Sequence, residues 1–268
     1  MAAINQEPHL FHSVLFMGVP FGCGVGYLRD MTLGSSIGIN TRSFNPFVLF
    51  SHGSSFWTFP HDGEPSPYYA GLFEYDSKAH WVPSKLPVKD FASPPGMKER
   101  VYKSVPDSIP PEAQWGLKRC SIDLYRAEDW VQHQIGPFGA ENREEWNSDL
   151  EEKVAFLRIA LEQGLKLRAM VKYHEEITYP PITVVSGNEF PTLVAIIRNG
   201  PLARKDGWDF DSAPKIAGDG RIPFDQSYPD ERIPCKRLTT GLHHQTLLSD
   251  LSSLRAHLVE LLDRDSCR

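Results

Sequence analysis

Four predicted strands, three of them short apolar runs, set the fold class of this chain. The first, Ser13–Met17, is followed at once by Gly18 and Pro20, and such a run bounded by turn residues is typical of a strand buried on both faces. We interpret it as a central parallel strand. The remaining strands are predicted at Ile182–Val185, Leu193–Ile197 and Lys236–Thr240.

Two amphipathic helices are predicted between and after these strands. Ser148 and Glu151 have the S-x-x-E spacing of a capping box, and leucines and a valine recur along one stripe as far as Leu165. A second stripe runs from about His244 to Asp263 and predicts a C-terminal helix. Strands that alternate with helices predict an α/β fold with a mostly parallel sheet.

The first residues indicate an incomplete domain. Ala2–Glu7 contains good helix formers and ends at Pro8, so it resembles the last turns of a helix. We therefore expect a single domain over residues 1–268 that lacks its N-terminal part.

Residues 22–140 have poor periodicity but many aromatic side chains and prolines. A segment of this length is too long for an ordinary loop, and disordered segments are poor in aromatics. We therefore predict a lid or cap inserted into the domain. The run from Phe44 to Phe59 either lines an acyl-chain pocket or forms part of the core.

The charge balance excludes one class of partner. Lys and Arg number 28 against 34 for Asp and Glu, which gives a net charge of −6, and no basic cluster suited to nucleic-acid phosphates is present. No export signal or apolar run of about 20 residues is found, so the chain as it stands is expected to be soluble and cytoplasmic, with its true compartment open. The 4 cysteines form no C-x-x-C pair, and neither a metal nor a cofactor is predicted.

Two ionisable residues lie where α/β sheets build their sites. Asp219 stands between two glycines after one predicted strand, and His244 joins the last strand to the last helix. An Asp followed by a His in this order matches the second half of the Ser…Asp…His triad of α/β-hydrolases. Each residue alone also fits a structural role, a turn for the Asp and a helix cap for the His.

A nucleophilic serine is harder to place. Gly34–Gly38 is a literal G-x-S-x-G match centred on Ser36, but a nucleophile elbow needs a buried strand directly before it and a helix directly after it. Neither flank has that pattern, so we interpret Ser36 as a chance match. Its use in a rearranged active site remains an alternative.

Several segments in order resemble the lecithin:cholesterol acyltransferase-like group of the α/β-hydrolase superfamily, in the part that follows the nucleophile elbow. They are the G-x-P-F segment Gly18–Phe21 after the first strand, Gly34-x-x-x-Gly38-x-Asn40 with the lid-like Phe50–Pro60, the G-x-x-x-P-T turn Gly187–Thr192, the acid loop Gly218–Pro223, and His244–Asp250, which matches H-x-x-L-L-x-D. Arg221 departs from the usual Thr of the acid loop.

The resemblance implies a lipid-ester hydrolase or O-acyltransferase with Asp219 as the triad acid and His244, rather than His243, as the base. Its substrate would be a lipid or acyl ester, and the lid could meet a membrane surface. The family's nucleophile and oxyanion loop would precede residue 1, so the chain alone is expected to be inactive. The alternative is a non-catalytic protein that binds a lipid or a partner.

Overall fold

The computed structural model describes residues 1–22, 24–37, 40–60, 71–75, 117–120, 122–139, 142 and 149–266. The chain divides into two compact units. The first unit contains Met1–Gly22, Ala169–Thr192 and Ile216–Arg268, and the second contains Cys23–Arg168 and Leu193–Lys215.

The strands are β1 (Val14–Met17), β2 (Ser35–Ile37), β3 (Asn40–Phe44), β4 (Gly71–Tyr75), β5 (Leu117–Arg119), β6 (Ile182–Gly187), β7 (Phe190–Leu193), β8 (Ala195–Arg198), β9 (Trp208–Asp209), β10 (Lys215–Gly218) and β11 (Lys236–Thr240). The α-helices are α1 (Ala2–Gln6), α2 (Gly26–Leu33), α3 (Pro46–Ser51), α4 (Ala127–Gln132), α5 (Leu150–Met170) and α6 (Leu251–Ser266). Short 3-10 turns lie at Pro8–Leu10, Gly53–Thr58, Gly136–Phe138, Phe224–Gln226 and His244–Ser249.

The first unit is built on a parallel sheet of three strands in the order β1-β6-β11. Ile182 and Val184 of β6 pack with Ile4 and Ile233 on one face of this sheet. On β6, Thr183 alternates with these two residues, and its hydroxyl lies 3.0 Å from Nδ1 of His257 in α6. The fold is therefore α/β, as the apolar runs predict.

Strand β1 does not have the central position that the sequence suggests. Among the described residues it pairs with β6 alone, so β6 is the middle strand and β1 lies at an edge. The continuous apolar run of β1 is explained by packing, because Val14 and Phe16 contact the core cluster around Ile182 and Val184.

The second unit contains a mixed sheet in the order β5-β4-β8-β9 and an aromatic core. Phe50, Phe56, Phe59, Trp130 and Phe138 are each at most 2% exposed. Several of these rings meet edge to face, the arrangement that aromatic quadrupoles prefer, as in the Phe50–Phe56 pair with centroids 5.8 Å apart. The aromatics of residues 44–59 thus contribute to a packed core, one of the two roles that their sequence allows.

Nearly half of the predicted lid lies outside the described part of the chain. Residues 61–70 and 76–116 lie outside the described residues, as does Ser148 of the predicted capping box. The helix that this box would begin is present as α5, which buries Leu157 and Leu161 while leaving Leu150 51% exposed.

Two predicted elements are interrupted. The apolar run Leu193–Ile197 is divided between the end of β7 and most of β8. The two strands separate at Val194, whose N–H donates to the Pro214 carbonyl at 3.1 Å and not to a neighbouring strand of a sheet. The predicted C-terminal helix is a 3-10 turn followed by α6, with Asp250 between them.

The buried face of α6 also differs from the hydrophobic stripe. Leu251 is 75% exposed and Leu258 is 57% exposed, whereas Ser253 and His257 are buried. Polar contacts, including that between His257 and Thr183, therefore fix the rotation of the helix. No helix in the described part of the chain has both the length and the apolar character needed to cross a membrane.

Candidate functional site

Asp219 follows β10 in a loop that closes on its own carboxylate. Oδ1 accepts the N–H groups of Arg221 at 2.8 Å and of Ile222 at 2.7 Å, and the Asp219 N–H donates to the Ile222 carbonyl. The residue is only 1% exposed. A buried carboxylate with these partners is held in one orientation, and its second oxygen is left for another donor.

His244 supplies that donor. Its backbone N–H donates to the Asp219 carbonyl at 2.8 Å, and its Nδ1 lies 2.8 Å from Oδ2 of Asp219. The two residues are thus joined through both main chain and side chain. The double connection arises because β10 and β11 both end at the same site, and His244 begins the 3-10 turn after β11.

This geometry selects one tautomer of the neutral imidazole. A carboxylate oxygen accepts hydrogen bonds, so Nδ1 carries the proton in that tautomer and Nε2 carries the lone pair. The His244 side chain is 35% exposed, and among the described residues its Nε2 has no hydrogen-bond partner. The imidazole can therefore accept a proton from a group that reaches it.

His243 has a different environment. Its ring meets Phe190 edge to face with centroids 5.1 Å apart, and its Nδ1 accepts from the Gln245 N–H at 3.4 Å. The His243 ring also packs against Gly220 of the Asp219 loop, but it is His244 whose Nδ1 lies at hydrogen-bond distance from the Asp219 carboxylate. The catalytic roles of Asp219 and His244 stay predictions.

Arg221 holds Asp219 through its backbone, so the departure from the family's Thr leaves that hydrogen bond in place. Ser36 lies inside β2, which pairs antiparallel with β3. A nucleophile elbow is a sharp turn from a strand into a helix, and a residue within a strand does not have that geometry.

Sequence reasoning missed two residues that shape the site. Thr192 is fully buried, and its hydroxyl accepts from the Gly220 N–H at 2.9 Å. Gly187, at the end of β6, faces Asp219 so closely that a Cβ there would lie 2.7 Å from the Asp219 Cβ. Both belong to the segment that resembles the family's G-x-x-x-P-T turn, which was the available signal.

Asp250 explains the last letter of the H-x-x-L-L-x-D segment. Its Oδ1 accepts from the Ser252 hydroxyl at 2.5 Å and the Ser253 N–H at 3.1 Å, and its Oδ2 accepts from the Ser253 hydroxyl at 2.8 Å. Asp250 therefore caps α6. The pKa of Asp250 is held well below its usual range, mainly by the hydrogen bond from the Ser252 hydroxyl. The Ser253 N–H and hydroxyl lower this pKa further.

Replacing Asp250 by Ala is expected to lower the free energy of unfolding by about 1 kcal/mol near neutral pH. Because the pKa of the folded carboxyl is depressed, this contribution is complete above the unfolded value of about 4 and declines as the pH falls below it. Urea unfolding of both proteins at several pH values measures this. The exposed Glu231→Ala is the control, and a difference that stays constant down to about pH 2 would contradict the capping role.

No protein-family model matches the chain. A region of 127 residues, 46% of the chain, is 27% identical to the uncharacterized protein YJR098C of Saccharomyces cerevisiae. The match covers 19% of that protein, so the chain spans about a fifth of the length of this relative.

Proposed function

We propose that Asp219 and His244 are the acid and the base of a serine-dependent acyl transfer, in a lipid-ester hydrolase or O-acyltransferase of the α/β-hydrolase type. The single observation that carries the proposal is the 2.8 Å contact between Nδ1 of His244 and Oδ2 of Asp219. It supplies an oriented imidazole whose second nitrogen can take the proton of a nucleophile.

In this mechanism His244 accepts the proton of the attacking hydroxyl through Nε2 and returns it to the leaving group. Asp219 fixes the tautomer and stabilises the imidazolium that forms during attack. The two backbone N–H groups on Oδ1 keep the carboxylate aimed at the histidine. No step in this cycle needs a metal or a redox cofactor.

The proposed mechanism also needs a nucleophile. Among the described residues no serine or cysteine is hydrogen-bonded to Nε2 of His244, so we propose that the chain alone does not turn over esters. A serine brought to Nε2 by further residues of the gene product would complete the triad.

A lipid is the favoured acyl donor. The support comes from the family resemblance and from two leucines that follow His244 closely, Leu248 and Leu251, each 75% exposed. Leu248 and Leu251 lie four and seven residues after His244 in the chain, and exposed apolar side chains of this kind can contact an acyl chain or a lipid surface.

The second candidate function is non-catalytic binding of a lipid or a partner. Within the described ranges Nε2 of His244 has no partner, which is also what a non-catalytic lipid- or partner-binding protein would show if it had retained the acid and base without a nucleophile. The two candidates differ in whether the full gene product hydrolyses esters.

Hydrolysis of p-nitrophenyl esters of increasing acyl length by the full gene product tests the proposal. We expect turnover that His244→Ala abolishes and that the matched variant His243→Ala retains, and we expect this chain alone to give the buffer rate. Equal loss in both variants would contradict the assignment of His244. The buffer rate from the full gene product would favour the non-catalytic alternative.

A further inference from the structure

We infer that Thr192 is the positioning residue of the site: its hydroxyl clamps the Asp219 loop and so sets the carboxylate against His244. The inference deepens the proposed function and rests on it for its catalytic meaning. The contacts that carry it lie within the first unit of the chain.

The Thr192 hydroxyl has two backbone partners. It donates to the Phe190 carbonyl at 3.0 Å and accepts the Gly220 N–H at 2.9 Å. One bond is local to β7 and the other crosses 28 residues of sequence to the loop after β10. The hydroxyl therefore connects the β7 strand to the residue directly after Asp219.

The loop depends on this clamp because its own geometry is unusual. Gly220 has a φ of +89°, in the left-handed region that favours glycine, and it lies between Asp219 and the two N–H groups that hold Oδ1. Without the threonine oxygen, the Gly220 N–H would lose its acceptor in a partly buried site. The loop would then lower its free energy by moving so that this N–H could bind water.

Close packing leaves Thr192 little freedom. It is fully buried, and a Cβ on Gly218 would overlap both the Thr192 hydroxyl and the Ile222 carbonyl. Residues 192, 218 and 220 are therefore closely packed. At position 192, a side chain of the same shape as threonine but without the hydroxyl would keep this packing and remove the hydrogen bond. That separation makes the inference testable.

Thr192→Val is the isosteric variant, Thr192→Ser is the conservative variant, and Thr239→Val on the exposed side of β11 is the matched control. Proton NMR of each protein reports the imidazole N–H that His244 donates to Asp219. We expect a protected downfield resonance in the parent protein. In Thr192→Val its exchange with solvent should be faster by about tenfold or more, and Thr192→Ser and Thr239→Val should leave it protected.

Thermal melting followed by circular dichroism separates a local effect from unfolding. If Thr192→Val melts as a folded protein and its imidazole N–H exchanges like that of the parent, the clamp does not position Asp219 and the inference fails. If Thr192→Val does not fold, the same comparison is made between parent and Thr192→Ala, with unchanged exchange again overturning the inference. Absence of the resonance from the parent itself would instead remove the basis of the proposed function.

Discussion

Asn in place of Asp219 is expected to reduce ester turnover by the full gene product by about 10⁴-fold. The amide can still accept the two N–H groups on Oδ1, so the loop is retained. Its nitrogen, however, would face Nδ1 of His244 as a donor, which favours the tautomer with the proton on Nε2 and removes the base. The change in kcat/KM on a p-nitrophenyl ester measures the effect.

The exposed Asp211→Asn removes the same charge from a residue that belongs to the second unit, and it should leave kcat/KM unchanged. Melting temperatures of the two variants show whether either has lost its fold. A folded Asp219→Asn protein that loses less than tenfold would show that Asp219 does not set the state of His244.

Gly187→Ala is expected to lower the free energy of unfolding by about 3 kcal/mol, at the upper end for an overpacked position. The new Cβ would lie 2.7 Å from the Asp219 Cβ and 2.8 Å from the Leu242 carbonyl oxygen. Both neighbours are held by backbone or by the buried carboxylate, so neither can move without disturbing the site. Urea unfolding followed by circular dichroism measures the loss.

Gly53→Ala is the matched control, because a Cβ at that position meets nothing within 4 Å. We expect its unfolding midpoint to stay near that of the parent. If Gly187→Ala were as stable as Gly53→Ala, the close approach of β6 to the Asp219 loop would be wrong.

The sequence predicted the three strands of the parallel sheet, which have clear ends. Val14–Met17, Ile182–Gly187 and Lys236–Thr240 are strands of one parallel sheet, and each has turn residues or prolines near its ends. The sequence also placed Asp219 after one predicted strand and His244 after the last strand. The structure joins these two residues by hydrogen bonds. What they do chemically stays a prediction.

The features that the sequence did not predict depend on contacts between distant residues. The predicted buried face of α6 is wrong. A hydropathy pattern assigns polar side chains to the exposed face, whereas Ser253 and His257 are buried in the structure. The predicted strand is interrupted at Val194 because the Val194 N–H donates a hydrogen bond to the Pro214 carbonyl. The role inferred for Thr192 depends on the hydrogen bond that its hydroxyl accepts from Gly220. Nothing in the local sequence around Thr192 reports its partner 28 residues away.

Labelling of the full gene product with a serine-reactive fluorophosphonate tests the central claim most directly, since the probe reacts with a serine activated by a neighbouring base. We predict labelling of the parent protein, loss of labelling in His244→Ala, and retention in His243→Ala and Ser36→Ala. A folded parent protein that the probe does not label, or labelling that survives in His244→Ala, would contradict the assignment of Asp219 and His244 to serine-dependent acyl transfer.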